Sequence, residues 1–262
     1  MTVPTVDVGD ATISYDVLGE GTPTVLLHGG GNNHLIWWRV APHLASERQV
    51  ILPDVRGHGW SSCTADAADP ARHAADLEAV LEDVGAARVH LVCHSMAGVA
   101  GLRFAVDHPD RVVSLSLIAS PAVRTVRTVA GFQKVEDILR RPGAREAMAC
   151  SAFAPGTAER IPEQVYLYRR LNALNPPFPR DTLMPGLRRT VVPVEDLDRF
   201  STPTLVTAGE NDQMLTFATI REVADLIPGA EFAIHEGSGH TPMVEDPGGF
   251  LDLVGSWLRR HD

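Results

Sequence analysis

The sequence has few cysteines and no long hydrophobic run, and both absences limit what the protein can be. Its 262 residues include three cysteines, Cys63, Cys93 and Cys150, too few and too scattered for a disulfide framework or a zinc site. No apolar run approaches the roughly 18 residues of a membrane-spanning helix. The N-terminal MTVPTVDVGD lacks the basic and apolar regions of a signal peptide. We therefore expect a cytoplasmic protein.

Positive charge is also scarce, because 23 Lys and Arg stand against 33 Asp and Glu, for a formal net charge of −10. Nucleic acids and anionic membranes select basic surfaces, so neither is an expected partner. The acidic surface is typical of a protein kept soluble by its charge. A chain of this length buries a large core without a disulfide or a metal.

Apolar runs alternate with helical patterns along most of the chain. The predicted strands are 11–15, 24–27, 50–53, 89–93, 112–119, 204–208 and 231–235. The predicted helices of the same region are 37–45, 70–84, 96–108, 217–226 and 249–260. Runs such as TVLLH and VHLVC are apolar on both faces, which is typical of a parallel sheet covered by helices on both sides. The alternation indicates an α/β protein with an open, mostly parallel sheet.

The alternation stops between residues 121 and 199. Helical fragments at 129–140, 144–150 and 163–172 are broken there by RPG, APG, NPPFP and MPG. We predict a core formed by residues 1–120 and 200–262, with 121–199 as a helical insertion. Such an insertion lies above the C-terminal ends of the strands, where parallel sheets bind ligands.

Ser95 stands where an apolar strand passes directly into a predicted helix, in the segment VHLVCHSMAG. A sharp strand-to-helix turn raises a serine hydroxyl above the sheet and needs small residues two positions before and after it. The usual pattern is G-x-S-x-G, whereas Cys93 and Ala97 flank this serine and Gly98 follows one position late. The segment fits either a nucleophile elbow or an ordinary serine N-cap.

Three glycines follow the strand 24–27, in the segment His28-Gly-Gly-Gly. Acyl transfer needs two backbone N–H groups aimed at the developing oxyanion, and glycines allow the backbone to approach the substrate. We predict the amides of Gly30 and Met96 as that pair. The other interpretation is a glycine turn that only links strand to helix. Phosphate-binding patterns such as G-x-x-x-x-G-K-[ST] are absent.

Asp212 and His240 are the candidate partners of Ser95. Asp212 comes just past the strand 204–208, and His240 lies in a turn before the last helix. Serine chemistry needs a base, together with a buried carboxylate that orients the imidazole and stabilises its cation. The chain order Ser, Asp, His is typical of a serine at a strand-to-helix turn. Glu210 lies nearer the strand end and is the weaker candidate.

Three segments resemble those of α/β-hydrolase-fold proteins. Residues 54–61, DVRGHGWS, resemble their D-x-R-G-H-G-x-S segment, GSGHTPMVEDP resembles their catalytic-histidine segment, and His28-Gly with Trp37 downstream resembles their oxyanion loop. The motifs span nearly the whole chain apart from 121–199. The resemblance implies a Ser-His-Asp hydrolase with an eight-stranded core and a helical cap. The loop 54–61 is expected to be structural, with His58 outside the chemistry.

These residues predict a serine hydrolase that forms an acyl-enzyme on a carboxylic ester or lactone of a small, largely apolar substrate. The mechanism requires no cofactor and no metal. The expected partner is a small-molecule substrate, and the expected protein is a monomer or homodimer. The predicted substrate-pocket residues are Gly29, Trp37, His94, Phe132 and Tyr166. The cap residues Phe132, Phe153, Tyr166, Tyr168, Leu171 and Phe178 either line this pocket or form the cap's own core.

Three other functions stay open. Relatives with the same apparatus cleave carbon–carbon bonds or perform cofactor-free perhydrolysis. A peptidase that selects an N-terminal amino group needs acids in the cap, for which the candidates are Glu136, Asp137, Glu159 and Glu163. A ligand receptor can keep the fold and the triad with slow turnover. Dehalogenase and epoxide hydrolase relatives use an Asp nucleophile, so Ser95 argues against both.

Overall fold

A computed structural model describes residues 3–176 and 180–262. Its strands are β1 (Thr5–Asp7), β2 (Ala11–Leu18), β3 (Pro23–Leu27), β4 (Gln49–Pro53), β5 (Ser62–Cys63), β6 (Val89–His94), β7 (Val112–Ile118), β8 (Thr204–Gly209) and β9 (Glu231–His235). Strands β3, β6 and β8 are buried almost throughout. Their apolar runs therefore form the centre of the sheet, as the pattern predicts.

The described strands form one sheet in the order β1-β2-β4-β3-β6-β7-β8-β9, with β5 paired to β2 off this path. Pairing is parallel from β4 through β9, and β1, β2 and β5 pair antiparallel. The resemblance implies eight strands, and eight form the continuous path. The ninth is the two-residue β5, which is too short to leave a periodic signal in the sequence.

Helices cover both faces of the sheet. They are α1 (Ala41–Leu44), α2 (His73–Val84), α3 (Ala97–Asp107), α4 (Val126–Leu139), α5 (Ala144–Ser151), α6 (Thr157–Arg160), α7 (Pro162–Asn172), α8 (Arg180–Thr190), α9 (Phe217–Leu226), α10 (Pro242–Glu245), α11 (Pro247–Phe250) and α12 (Ser256–Arg260). A short π-helical turn, Leu251–Gly255, joins α11 to α12. None of the helices within the described ranges has the length and hydrophobicity needed to cross a bilayer.

The inserted helices α4–α8 lie between β7 and β8 in the chain. Helix α8 was not predicted, because MPG was interpreted as a helix break, and the structure corrects this. The helix continues through Pro185, and its Leu183, Met184 and Leu187 are buried. A Cβ on Gly186 would meet the ring of Pro70, so only glycine allows this close approach. Tertiary packing here overrides a poor local helix propensity.

Candidate active site

Ser95 occupies a strained turn between β6 and α3. Its φ is 53°, in the left-handed region that residues other than glycine rarely adopt. Its N–H donates to the Ile118 carbonyl at 2.8 Å, and the Ser120 hydroxyl donates to its carbonyl at 2.7 Å. The end of β7 and the segment that follows it therefore hold both backbone groups of Ser95. The serine forms an elbow, and not the extended N-cap that the sequence left open.

His240 and Asp212 complete a hydrogen-bonded chain with this serine. His240 Nε2 lies 2.9 Å from Ser95 Oγ, and its Nδ1 lies 2.7 Å from Asp212 Oδ2. The other carboxylate oxygen, Asp212 Oδ1, accepts from the backbone N–H groups of Met214 and Leu215 at 2.7 and 2.9 Å. Both side chains are buried. Since the carboxylate only accepts, Nδ1 carries the proton and Nε2 faces the serine hydroxyl as a base.

The loop that carries His240 is fixed by hydrogen bonds to the inserted helices. The buried carboxylate of Glu245 accepts from the N–H of Gly239 at 2.8 Å and from the N–H of Ala154 at 2.9 Å. It also accepts from the Thr157 hydroxyl at 3.0 Å. The His240 N–H itself donates to the Ala152 carbonyl at 3.1 Å. The segment before α6 and the histidine loop are therefore joined.

His94, which precedes Ser95, is hydrogen-bonded to the same loop. Its Nε2 lies 2.8 Å from the His240 carbonyl, which can only accept, so Nε2 carries the proton. Burial holds the pKa of His94 well below its usual value, so the ring stays neutral. His94 therefore links the end of β6 to the backbone of His240.

The glycine loop passes directly against Ser95. A Cβ on Gly29 would lie 2.9 Å from Ser95 Cβ, closer than real Cβ atoms approach. The Gly29 carbonyl lies 2.9 Å from His28 Nδ1 and accepts from the Asn32 N–H at 3.3 Å. His28 Nε2 accepts from the Val55 N–H at 2.9 Å, so Nδ1 is the protonated nitrogen. Burial lowers the pKa of His28 to about 3, which keeps this tautomer neutral.

These bonds orient the amide of Gly30. The peptide between Gly29 and Gly30 is planar and trans, so its N–H points opposite to its carbonyl. The carbonyl is held on the side of His28, and both Gly30 and Met96 line the cavity that contains Ser95. Met96 precedes the first turn of α3, where backbone N–H groups have no partner within the helix.

The contacts of the loop 54–61 are those of the structural role that the sequence predicts, although its His58 also lines the cavity. The buried Asp54 carboxylate accepts from the backbone N–H groups of His34 at 2.7 Å and Trp60 at 2.8 Å. Arg56 forms a two-pronged ion pair with Asp76 at 2.7 and 2.5 Å. His58 Nε2 accepts from the Gly31 N–H at 3.3 Å, so this loop is hydrogen-bonded to the glycine loop.

A cavity of about 340 Å³ opens above Ser95. Its apolar wall comes mainly from the inserted helices and from the residues after Asp212, namely Phe132, Val135, Leu139, Met148, Leu183, Met184, Leu187, Met214 and Leu215. Its polar residues, besides Ser95 and His240, are Asn32, His58, His94, Asn172, Asn175 and Tyr168. Burial raises the pKa of Tyr168 to about 12, so this phenol is neutral.

The predicted pocket residues divide into three groups. Phe132 and His94 line the cavity, and Gly29 packs directly behind Ser95. Two predictions are wrong. Trp37 is fully buried in the core with its ring edge-on to His94, and Tyr166 is 68% exposed, because Tyr168 takes the inward face of α7. Phe178 lies outside the described residues.

The sequence did not predict a contribution to the site from α8, Asn175 or Glu245. Glu245 stands five residues after His240. A single acid at the end of the otherwise apolar helix α10 is the signal that could have identified it. Asn175 carries no local signal, because its contacts are all distant in the chain. The cap acids proposed for a peptidase, Glu136, Asp137, Glu159 and Glu163, are not among the cavity residues of the described chain. No cluster of His, Cys, Asp and Glu suited to a metal occurs among the described residues.

One family of known proteins matches most of the chain. The model of the alpha/beta hydrolase family matches residues 24–253. The chain belongs to this family. Within it, the chain is 40% identical over 141 residues to a fluoroacetate dehalogenase from Burkholderia sp., a match that covers 52% of this chain and 45% of the dehalogenase.

Two solved structures of the alpha/beta hydrolase fold match nearly the full chain. A thermophilic esterase from Thermogutta terrifontis has 25% identity and a TM-score of 0.85, covering 99% of this chain and 98% of the esterase. An N-acyl homoserine lactone degrading enzyme has 28% identity and a TM-score of 0.86, covering 97% of this chain and 99% of that enzyme.

Proposed function

We propose that the protein is a serine hydrolase that cleaves a carboxylic ester or lactone of a small, largely apolar substrate through an acyl-enzyme. The observation that carries the proposal is the chain of hydrogen bonds from Ser95 through His240 to Asp212 at the floor of an apolar cavity. The similarity of nearly the whole chain to an esterase and to an N-acyl homoserine lactone degrading enzyme supports the proposal.

The reaction proceeds in two halves. Ser95 Oγ attacks the carbonyl carbon while His240 Nε2 takes the hydroxyl proton, and the Gly30 and Met96 amides donate to the oxyanion. The tetrahedral intermediate collapses as His240 returns the proton to the leaving alcohol. Water then gives its proton to His240 and attacks the acyl-enzyme, which releases the acid and restores the Ser95 hydroxyl. The Asp212 carboxylate stabilises the imidazolium in both halves.

Dehalogenation fits this nucleophile poorly, although a dehalogenase is among the relatives. Attack by a serine hydroxyl on a saturated C–F carbon forms an alkyl ether, which has no carbonyl for water to attack. A carboxylate nucleophile would instead form an ester, which water can cleave. Ser95 therefore favours substrates that already contain an acyl carbonyl.

The test uses a fluorophosphonate probe on three proteins: the wild type, Ser95→Ala and Ser116→Ala. Ser116 is the matched control, since it is buried on the neighbouring strand β7 and its hydroxyl has no partner among the described residues. We expect labelling and turnover of short-chain p-nitrophenyl esters and lactones by wild type and Ser116→Ala. Ser95→Ala should retain the fold and lose both.

Each other outcome has a definite meaning. Folded wild type that resists the probe would rule out Ser95 as an activated nucleophile. Labelling with negligible turnover of every ester and lactone would favour a receptor that retains the triad.

A further inference from the structure

One side chain from the inserted segment is hydrogen-bonded to the glycine loop in the lining of the cavity. Asn175 lies 144 positions after Gly31 in the chain, and its Nδ2 donates to the Gly31 carbonyl at 2.7 Å. The same Nδ2 donates to the Asn32 carbonyl at 3.0 Å. Asn175 is 8% exposed, so these bonds form out of bulk water. Two consecutive carbonyls of the loop are therefore held by one amide group.

The carbonyl of the same amide is also in use. Asn175 Oδ1 accepts from the Gly59 N–H at 2.8 Å and from Asn33 Nδ2 at 3.3 Å. Asn33 Nδ2 in turn donates to the Leu171 carbonyl at 3.0 Å, in the last turn of α7. An asparagine amide can donate two hydrogen bonds through its NH₂ group and accept two through its carbonyl oxygen. Asn175 thus joins the glycine loop, the loop 54–61 and the end of α7.

The glycine loop needs such anchors. Glycine residues sample the widest range of backbone conformations, and Gly31 has a φ of 77°. On one side of the Gly30 amide, His28 and the Asn32 N–H hold the Gly29 carbonyl. On the other side, His58 holds the Gly31 N–H and Asn175 holds the next two carbonyls. The orientation of the Gly30 N–H therefore depends on anchors at both ends.

We propose that Asn175 is a positioning residue, which fixes the glycine loop so that the Gly30 N–H stays directed at the developing oxyanion. The proposal rests on the acyl-transfer function proposed above. It assigns the inserted segment a part in transition-state stabilisation in addition to the shaping of the cavity.

The isosteric variant Asn175→Asp separates this role from simple attachment of the helices. Aspartate keeps an acceptor for Gly59 and Asn33 but loses both donors to the loop, and it places a carboxylate against two carbonyls. Asn175→Ala removes both functions. Leu174→Ala is the matched control, since Leu174 is the adjacent residue and is 66% exposed.

On the best ester of the panel, we expect Asn175→Asp and Asn175→Ala to lower kcat by about tenfold or more, against the roughly 100- to 1000-fold loss typical of deleting an oxyanion donor. In Asn175→Ala, which adds no charge to the cavity, KM should change by less than about twofold, because the bond to the oxyanion forms only in the transition state. Leu174→Ala should keep wild-type kcat. Wild-type kcat in Asn175→Asp, or equal losses in Asn175→Asp and Leu174→Ala, would overturn the proposal.

Hydrogen exchange of peptides covering residues 28–34 gives a readout that does not depend on catalysis. Faster exchange in Asn175→Asp than in Leu174→Ala supports the positioning role, and unchanged exchange overturns it. A wild type that resists the fluorophosphonate probe contradicts the proposed function alone, since the exchange result still decides whether Asn175 orders the loop.

Discussion

At the scale of single residues, two acids after β8 have opposite environments. Asp212 is buried, and its two oxygens accept from His240 and from two backbone amides. Glu210, two positions earlier, is exposed and accepts from the Gly237 N–H at 2.9 Å. The preference for Asp212 over Glu210 that came from its position past the strand end agrees with these contacts. The environment, and not the residue type, makes one acid a partner for histidine.

Asp212→Asn should therefore lower kcat by about 10³- to 10⁴-fold, the loss typical of an acid that orients a catalytic histidine. The amide can present its N–H₂ to the ring, which stabilises the wrong tautomer and leaves the imidazolium without a counter-charge. Glu210→Gln is the matched control and should keep wild-type kcat, since a glutamine oxygen still accepts from Gly237. Comparable losses in both variants would contradict the assigned role.

At the scale of elements, the elbow between β6 and α3 tolerates a cysteine where glycine is usual. The space for Cys93 comes from the facing helix, because a Cβ on Gly101 would collide with Cys93 Sγ. A Cβ on Gly98 would likewise collide with the Ser120 hydroxyl that supports the turn. The turn itself lacks the usual glycines, and glycines on α3 provide the space that it needs.

Gly101→Ala should destabilise the fold by about 1–3 kcal/mol, the usual cost of overpacking a core. In a Cys93→Gly background the same change should be neutral or stabilising, because the next contacts are ordinary and alanine is the better helix former. Urea unfolding of the four proteins in the cycle measures the coupling. Equal effects of Gly101→Ala in both backgrounds would show that the two side chains do not share this space.

At the scale of the whole molecule, burial depresses the pKa of six histidines. It lowers the pKa of His28 to about 3 and those of His90 and His235 to about 4. The other three, whose pKa values burial also lowers, are His58, His73 and His94. Below a pH of about 6.5 these histidines bind protons in the unfolded chain but not in the folded protein.

These histidines should therefore not reduce the free energy of unfolding above pH 6.5. Below that pH, the free energy of unfolding should fall as the pH decreases toward 4 and 3. Each histidine contributes a slope of up to about 1.4 kcal/mol per pH unit in that window. Urea unfolding at pH 7, 6 and 5 measures the combined slope. His90→Gln removes a histidine far from Ser95 and should reduce the slope by about one proton. A free energy of unfolding that is flat from pH 7 to 5 would contradict the expectation.

Much of the fold followed from the sequence, and the failures have physical causes. Strands β6 and β8 were predicted because apolar runs on both faces have few other uses in a soluble chain. Helix α8 was missed because Pro185 and Gly186 argue against a helix locally, whereas burial of Leu183 and Leu187 decides the outcome. Ser95, Asp212 and His240 were predicted as partners from their order along the chain. Which of Tyr166 and Tyr168 faces the cavity depends on the rotation of α7, which the sequence of one short helix leaves open.

Glu245 has a consequence for any attempt to treat the inserted helices as an exchangeable module. Its carboxylate belongs to the core in the chain, but two of its hydrogen-bond donors, Ala154 and Thr157, belong to the insertion. Excising or swapping the insertion would leave a buried carboxyl group without those donors, next to the loop that carries His240. A transplanted cap therefore has to bring an equivalent pair of donors, and a recombination boundary drawn at the ends of β7 and β8 would cut through one functional unit.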